Sequence, residues 1–412
     1  MIERTDMLLG TGLVGGIFRN NGRFTAAEEA IAMGGGELFQ LMDANATHKN
    51  IEFPGHKHAS LYNIITMEPA VRRLLKENGV QLKMSTRISE VAMNGSRLQA
   101  VMTGKNASDE RFEADAFVET TGTSALPNVC HKYGNGCCMC VLRCHAFGTR
   151  VSIAGRAGIS EITGRKGDAV GAMSGSVELV RDSLAKDVLD DMRRTGMAMR
   201  PIPGAKADGS SLDRKACQQY TQDEYKTNVI VLDTGGAKLM ASFFPLTLLR
   251  TVPGFENARF ADPLGATLGN SIRYINMAPR NDALKIDGLD NVFCAGEKAG
   301  LLVGHTEAIV TGTLAGYNAV RCASGEEPLV VPDSLALGDA VKNVREEMQT
   351  EKGLGMKFTF SGSVYFERMK RRGGYLVEIA EIRRRVAAMG LTGIFARPAG
   401  AEAACSAAGA VH

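Results

Sequence analysis

Residues 291–321 constrain the fold more than any other stretch of the chain. They read NVFCAGEKAGLLVGHTEAIVTGTLAGYNAVR. A short apolar run stops at Gly296, a loop with Gly300 and Gly304 follows, and small residues at helical spacing then predict a helix to Arg321. In an α/β sheet, such a strand, glycine turn and helix form the mouth of a cofactor site. The start of the helix favours an anionic or electron-rich group there.

Size and composition fit a soluble enzyme with two intertwined domains. The chain has 412 residues, of which 44% are hydrophobic and 23% are charged, as in ordinary globular proteins. A net charge of +3 gives little reason to expect nucleic acid, and no apolar run approaches the ~20 residues that a membrane span needs. The first ten residues lack a secretion pattern, so we expect a cytoplasmic protein.

Local patterns predict the remaining elements. Residues 24–46 favour a helix that is broken around residues 34–36, and residues 68–78 favour a second helix that ends at Gly79. Alternating residues with turn signals predict a β-meander at 80–84, 88–93, 98–103 and 111–119. The other predictions are helices at 176–196, 339–350 and 378–388, and strands at 229–232, 239–244 and 286–295.

The first residues suit the end of a strand in a dinucleotide-binding fold. Glu3 stands where such folds place an acidic residue for the ribose hydroxyls. The strand and glycine turn that should precede it, ~30 residues, are not in this sequence. Gly10, Gly12 and Gly15 match G-x-G-x-x-G, but only a short polar segment precedes them. We therefore favour a second loop whose glycine backbone passes under a ring system.

Three stretches together resemble a known group of proteins. The first comprises TRISEV at 86–91 and AFVETTGT at 116–123, the second comprises TVPGFEN at 251–257 with RYIN at 273–276, and the third is 291–321. In order and spacing they resemble the FAD-dependent oxidoreductases related to glutathione reductase. The most similar branch contains the tRNA-uridine-modifying flavoproteins and the flavin subunit of heterodisulfide reductase. The tRNA-modifying members carry an early reactive cysteine, whereas this chain has no cysteine before Cys130.

The resemblance implies an α/β fold. A Rossmann-like FAD/NAD(P)-binding domain, N-terminally truncated, would be interrupted by an inserted α+β substrate domain and followed by a C-terminal helical extension. We expect the FAD-binding domain at 1–128 and 281–340, the insert with its cysteine cluster at 129–280, the helical region at 341–397 and a disordered tail at 398–412.

The resemblance also implies an order of residues along FAD. The ring end would meet Gly10, Gly12, Gly304, His305 and Thr306, and the ribityl chain would meet Gly296 and Glu297. The diphosphate would lie by Thr121 and Gly122, and the adenosine by Glu3, Arg4 and Ile88. His305 is either a proton donor beside the flavin or a solvent-facing residue at a helix start.

Five cysteines cluster at positions 130, 137, 138, 140 and 144. Cys137, Cys140 and Cys144 resemble ferredoxin-type spacing, with Cys130 as a fourth ligand for a [4Fe–4S] cluster. The same thiolates could hold zinc, with His131 or His145 as substitutes, although we expect zinc less. Cys137 and Cys140 could instead form a catalytic redox dithiol with the flavin, or the thiols could be inert.

Three other features favour ordinary structural roles. His56 and His58 alternate on a short strand or turn and are expected in a solvated loop. Cys294 is expected to be a small core residue of a parallel strand. Residues 357–369 favour a packed hairpin followed by a solvated basic run, rather than a nucleic-acid surface.

The combined hypothesis is an FAD-dependent oxidoreductase that transfers two electrons through the flavin. The cysteine cluster could relay those electrons. We expect a small-molecule or protein electron donor or acceptor, and a partner chain or a second copy is compatible with the sequence, whereas membrane and nucleic acid are not expected. Two alternatives stay open: a flavin- and folate-dependent tRNA-modifying enzyme, and a non-catalytic subunit that completes its flavin site with a partner.

Overall fold

A computed structural model describes most of the chain. The described residues are 1–10, 12, 15–104, 106, 108–122, 151–166, 169–170, 172–173, 176–205, 218–241, 244–261, 272–273 and 275–398.

The first part of the chain contains two antiparallel sheets and three helices. In chain order the elements are β1 (Ile17–Phe18), α1 (Gly22–Ala32), α2 (Glu37–Ala44), β2 (Ala46–Phe53), β3 (His56–Tyr62), α3 (Ile64–Glu77), β4 (Glu90–Asn94), β5 (Arg97–Met102), β6 (Arg111–Glu113) and β7 (Phe117–Glu119). One sheet has the order β1-β3-β2, and the other is a β4-β5-β6 meander. The broken helix at the start and the core of the meander are therefore confirmed.

The middle part is built on an antiparallel four-stranded sheet. Its elements are α4 (Ile153–Arg156), β8 (Ile162–Thr163), β9 (Arg165–Lys166), β10 (Ala169–Val170), β11 (Ala172–Met173), β12 (Val177–Leu179), a 3-10 turn (Arg181–Ser183), α5 (Lys186–Thr195), β13 (Met197–Pro201), a 3-10 turn (Gln218–Thr221), α6 (Asp223–Thr227), β14 (Asn228–Asp233), β15 (Ala237–Leu239), α7 (Leu246–Leu249), β16 (Ile272–Arg273) and β17 (Asn276–Met277). The sheet order is β12-β15-β14-β13.

The last part returns to β7 of the first part and continues as helices. It comprises β18 (Val292–Cys294), a 3-10 turn (Gly296–Ala299), α8 (His305–Ala323), α9 (Ala336–Glu347), α10 (Glu351–Leu354), α11 (Ser363–Arg371), α12 (Ile379–Ala388) and a 3-10 turn (Ile394–Ala396). β18 pairs in parallel with β7, with Val292 opposite Phe117. This pair joins segments more than 150 residues apart, and α8 packs against both strands.

Three hydrophobic clusters hold these parts together. The largest joins the first and last parts of the chain and includes Phe293, Leu314 and Tyr365. A second lies on one face of the four-stranded sheet, under α5 and α7. A third fills the space between the β1-β3-β2 sheet and the opposite face of the four-stranded sheet, where Leu61 meets Leu232. The two sheets therefore face each other beside the start of the chain.

Three sequence-based assignments were wrong. Residues 80–84 form no strand and make only the bridge between Lys83 and Ile2. Residues 176–196 begin with β12 and become helical only at Lys186, because Val177 and Leu179 alternate into the core and pair with β15. Residues 357–369 form no hairpin. Phe358 makes a parallel bridge with Leu302, and the chain then turns into α11. The alternating aromatic residues reflect burial against a loop, not pairing with a following strand.

Candidate functional site

The predicted strand–turn–helix stretch is present and is tightly joined. β18 ends at Gly296, which has a φ of +63°, a conformation that favours glycine. The Gly296 N–H donates to the Thr311 hydroxyl on α8 at 2.9 Å. Cys294 is completely buried on β18, as expected, and burial raises the pKa of its thiol to about 12. Its thiol is therefore inert near neutral pH.

Gly304, directly before α8, lets the backbone approach the Arg23–Glu307 ion pair closely. Its φ is +137°, and a Cβ there would lie 2.0 Å from the Arg23 guanidinium and 2.2 Å from a Glu307 carboxylate oxygen. Any side chain would have to displace this ion pair. Glycine at this position therefore allows the first turn of α8 to pack directly against the buried side chains of Arg23 and Glu307.

Sequence reasoning missed the buried polar network beneath that first turn. Glu307 is completely buried and accepts hydrogen bonds from Arg23 Nε at 3.1 Å, the Thr359 hydroxyl at 2.7 Å and the Phe360 N–H at 2.9 Å. The sequence position of Glu307 could have predicted a buried ion pair. Glu307 lies on the stripe that continues through Val310 and Leu314, and a charge on a buried stripe requires a partner.

The network continues to His56, which was wrongly placed in a solvated loop. His56 lies on β3 and is only 2% exposed. Its Nδ1 accepts from the Asn20 amide at 2.9 Å, while its buried Nε2 has no partner in the described part of the chain. Burial, followed by the charge of Arg23, lowers the pKa of His56 to about 3. The imidazole is therefore neutral at physiological pH.

His305 begins α8 and faces inward toward the glycine segment. Its Nε2 bonds to the carbonyl of Ile17, and a Cβ on Gly15 would lie 2.3 Å from its ring. Tyr62 packs beside it with ring centroids 5.8 Å apart. Burial, then the charge of Arg23, lowers the pKa of His305 to about 3. At neutral pH the neutral ring therefore carries its one N–H on Nε2, where it donates to that carbonyl, and its Nδ1 can only accept a hydrogen bond.

Thr306 supplies an unsatisfied polar atom at the same place. The residue is completely buried, and its hydroxyl oxygen has no hydrogen-bond partner among the described residues. Buried hydroxyls are normally paired, so an unpaired one marks a position where a ligand or water is expected. The first backbone N–H groups of α8 support the same conclusion, because a helix leaves them without intrahelical acceptors and a ligand could accept from them.

The early glycine segment lies against this helix start. The Tyr62 hydroxyl donates to the carbonyl oxygen of Gly12 at 2.9 Å. Gly15 is followed by the strand β1, which pairs with β3, and not directly by a helix. That order differs from the strand–glycine–helix order of a first phosphate loop, and Gly10, at φ +49°, lies in open space. The geometry thus favours the second-loop hypothesis.

A second group of predicted residues gathers at the carboxyl ends of β7 and β18. The Thr121 hydroxyl donates to Glu119 at 2.8 Å, and Gly122 has a φ of +65°. Glu119 also accepts the N–H groups of Ile153 and Ala154, each at 2.8 Å. The partly buried Glu297 follows Gly296 at the same strand ends.

The third group lies at the adenosine end of the predicted order. Ile2 forms a parallel bridge with Lys83, and the N–H of Thr86 donates to the carbonyl of Glu3 at 2.9 Å. The Glu3 carboxylate accepts from the N–H of Thr5 at 2.8 Å. Arg4 and Ile88 are partly buried in the same two segments. The structure therefore brings the predicted binding residues together in three groups.

The cysteine predictions cannot be placed in this geometry. Cys130, Cys137, Cys138, Cys140 and Cys144 lie outside the described residues. Within the described ranges, no group of three or more His, Cys, Asp and Glu side chains is arranged to hold a metal. In the same ranges no helix is both long and apolar enough to cross a membrane.

Comparison with known families agrees with this architecture. The family model described as "Glucose inhibited division protein A" matches residues 11–234 and 219–327. The chain belongs to the glucose-inhibited division protein A family. Two structures of GidA from Aquifex aeolicus, in crystal forms II and I, superpose with TM-scores of 0.63 and 0.61 at 14% identity. They cover 93% of this chain and 67% and 69% of the GidA chains, and show a shared fold.

Shorter matches link the chain to curated tRNA methyltransferases. It is 35% identical over 98 residues to "Methylenetetrahydrofolate--tRNA-(uracil-5-)-methyltransferase TrmFO" of Koribacter versatilis, which is 24% of this chain and 21% of the relative. The TrmFO protein of Enterococcus faecalis is 38% identical over 95 residues, which is 22% of this chain and 20% of the relative. The matches thus span only a small part of each relative.

Proposed function

We propose that this protein is an FAD-dependent oxidoreductase whose flavin ring lies at the start of α8. The observation that carries the proposal is the buried hydroxyl of Thr306, which has no partner among the described residues and follows His305, the residue whose ring lies against Gly15. A reduced flavin gains negative charge at one edge of its ring, and a helix N-terminus stabilises about half a charge. FAD, when bound, would accept and donate a pair of electrons.

The chain's own residues would bind and orient that cofactor. The first N–H groups of α8 and the Thr306 hydroxyl would donate to the ring edge. Gly12 and Gly15 would let the backbone approach the ring, and the neutral His305, whose N–H is donated to the Ile17 carbonyl, would present its Nδ1 as an acceptor beside it. Thr121 and Gly122 would lie along the diphosphate. Glu3 would accept the adenosine ribose hydroxyls, as an acidic residue does in dinucleotide folds.

The test is FAD binding by matched variants of α8. We expect the purified protein to take up FAD, to turn yellow and to bleach with dithionite. Thr306→Val should weaken FAD binding about fivefold, which corresponds to one hydrogen bond of about 1 kcal/mol. Thr313→Val serves as the control, because that hydroxyl bonds to the Ile309 carbonyl two turns away. A colourless protein would favour the non-catalytic subunit.

The second candidate function is flavin- and folate-dependent modification of a uridine in tRNA. The names of the TrmFO relatives favour it, since they specify methylenetetrahydrofolate and the uracil of tRNA. This revises our sequence-based expectation that nucleic acid is not a partner. Incubation with FAD, methylenetetrahydrofolate and unmodified tRNA should yield 5-methyluridine, detected by mass spectrometry of digested tRNA. Binding to tRNA should fall steeply with salt. A tRNA affinity that does not change with salt would contradict this candidate.

The cysteine relay remains a separate proposal. Thr121 and Ile153, which lie on either side of the cysteine segment, both donate to Glu119 at the carboxyl end of β7. An electron carrier between them would start and end beside the residues proposed for the diphosphate of FAD. Iron and sulfide analysis after anaerobic purification tests a [4Fe–4S] cluster on Cys130, Cys137, Cys140 and Cys144. Zinc analysis tests the weaker alternative, and thiol titration tests a Cys137–Cys140 dithiol.

A further inference from the structure

Lys357 lies beside the loop that leads to α8, in a segment beyond the residues that the family model matches. The matched residues end at 327. The next residue, Phe358, forms a parallel bridge with Leu302 through two backbone hydrogen bonds of 2.8 Å. Leu302 precedes Gly304 by two positions in the sequence. The bridge therefore places Lys357 next to the loop that ends at the start of α8.

Alternation along this extended segment turns the Lys357 side chain toward α8. Successive side chains of an extended segment point to opposite faces. Phe358 packs into the largest core, whereas Thr359, on the other face, donates its hydroxyl to Glu307 in the first turn of α8. Lys357 shares the face of Thr359, and the carboxylate whose charge acts on it is that of Glu297. The ammonium therefore lies on the side that faces α8, within electrostatic reach of Glu297.

The Lys357 side chain is buried, and its ammonium has few acceptors. The residue is 9% exposed. Its ammonium makes one hydrogen bond within the described ranges, at 3.3 Å, to the carbonyl of the preceding residue Met356. An ammonium has three donors, and a buried charge is normally paired and fully bonded. Two donors of Lys357 are therefore left for an acceptor that the described residues do not supply.

Lys357 differs in this respect from the cation beneath the first turn of α8. Arg23 is already paired with Glu307 at 3.1 Å. Burial lowers the pKa of Lys357 to about 8, against the attraction of Glu297, so its ammonium still carries a proton at neutral pH. Lys357 therefore brings to the start of α8 a positive charge that is available to a bound anion.

We propose that Lys357 stabilises the negative charge that the flavin gains on reduction, so that the segment after residue 327 sets part of the redox potential of the cofactor. The inference rests on the proposed function, which puts the ribityl chain by Glu297 and the ring at the start of α8. Lys357 points to the side where these two meet. A cation stabilises a nearby anion, so its charge favours the reduced flavin over the neutral, oxidised one. Lys357 acts by charge alone and transfers neither an electron nor a proton.

The experiment measures the two-electron midpoint potential of the FAD-loaded protein at neutral pH, by dithionite titration against reference dyes. Lys357→Met removes the charge and keeps a long side chain. It should weaken the binding of reduced FAD about tenfold relative to oxidised FAD, which lowers the potential by about 30 mV. Glu297→Gln removes the opposing charge and should raise the potential. Lys352→Met, which changes an exposed lysine of α10, is the control and should match the wild type.

Each outcome decides a different point. A yellow Lys357→Met protein with the potential of the wild type overturns the inference and leaves the proposed function intact. A loss of unfolding stability in that variant without a change of potential gives Lys357 a purely structural role, which also overturns it. If Lys357→Met does not fold, Glu297→Gln decides, because an unchanged or lowered potential there contradicts the inference. A wild-type chain that binds no FAD overturns the proposed function, and this inference with it.

Discussion

Arg23 and Glu307 join α1 to the first turn of α8 through a buried ion pair. The Arg23 Nε lies 3.1 Å from each carboxylate oxygen, and the Glu307 side chain has no exposed surface. The residues are 284 positions apart in the chain. The pair therefore fixes the start of α8, and with it Gly304 and Thr306, to the glycine segment that precedes α1.

We expect Arg23→Met to destabilise the protein by about 3–5 kcal/mol, because it leaves a buried carboxylate without its cation. Urea denaturation followed by circular dichroism measures the change. Arg111→Met is the matched control. It removes an exposed ion pair with Glu113, which contributes at most about 1 kcal/mol. Adding Glu307→Gln to Arg23→Met should recover part of the loss, and a double variant that is no more stable than the single one would contradict this account.

Glycines of α8 should respond in opposite directions to alanine. Gly304→Ala places a Cβ 2.0 Å from Arg23 in a backbone conformation that alanine rarely adopts, so a loss of about 2–4 kcal/mol and weaker FAD binding are expected. Gly312 and Gly316 have nothing within 4 Å of an added Cβ. Alanine at either position should stabilise the helix by about 0.5–1 kcal/mol. Equal thermal shifts for Gly304→Ala and Gly312→Ala would refute the assigned role of Gly304.

The sequence predicted well those helices and strands whose residues show a clear local pattern of apolar and turn residues. The strand, turn and helix from β18 to α8 carry apolar runs, glycines and helical spacing within one stretch, and the meander carries alternation and turn residues. Resemblance then supplied the order of the three groups of binding residues. The wrong start of the helix at 176–196 arose because Leu179 and Val180 extend the helical spacing of Leu184 and Val188, and only the pairing with β15 shows that Leu179 belongs to a strand.

Polar contacts between residues far apart in the chain could not be predicted from the sequence. His56 bonds to Asn20, and Arg23 bonds to Glu307, across separations that no local pattern encodes. From the sequence, a histidine in a polar strand is expected to be exposed to solvent. Only the structure shows that the rings of Phe53 and Tyr220 lie against His56.

Replacing Lys298 should make the stability of the protein depend on pH. It is completely buried in the turn after β18, 3.5 Å from Glu119 and in direct contact with Glu161. Lys298→Met leaves two buried carboxylates without their cation, and a buried carboxylate without a cation is less costly when it is protonated. The folded variant then binds more protons than the unfolded chain, so its stability rises as pH falls.

We expect Lys298→Met to lose about 3–5 kcal/mol at neutral pH and clearly less near pH 5. Urea unfolding of wild type and variant at both pH values measures the difference. Lys226→Met, which removes a surface ion pair with Asp223, is the control and should show no such dependence. A deficit of Lys298→Met that is the same at both pH values would mean that the carboxylates are not the source of the loss.

Glu29 should give the wild type a loss of stability at alkaline pH. This completely buried residue of α1 accepts the Ala336 N–H at the start of α9 at 2.7 Å, and burial raises the pKa of its carboxyl group from 4.5 to about 8. Because the folded pKa is raised, this group stabilises the fold fully below about pH 4.5, and that contribution is lost as pH rises through about 8. A tenfold difference in proton affinity between the folded and unfolded chain corresponds to about 1.4 kcal/mol, so the loss amounts to a few kcal/mol.

Glu29→Gln keeps an oxygen for the Ala336 N–H and removes the ionisation. The variant should match the wild type within about 1 kcal/mol near pH 5 and exceed its stability near pH 9, because it does not bury a charge there. Glu37→Gln, an exposed residue at the start of α2, is the control and should follow the wild type throughout. Chemical denaturation across this pH range measures all three proteins. Parallel stability curves for Glu29→Gln and the wild type would show that Glu29 stays ionised in the fold, which its completely buried position and single backbone donor argue against.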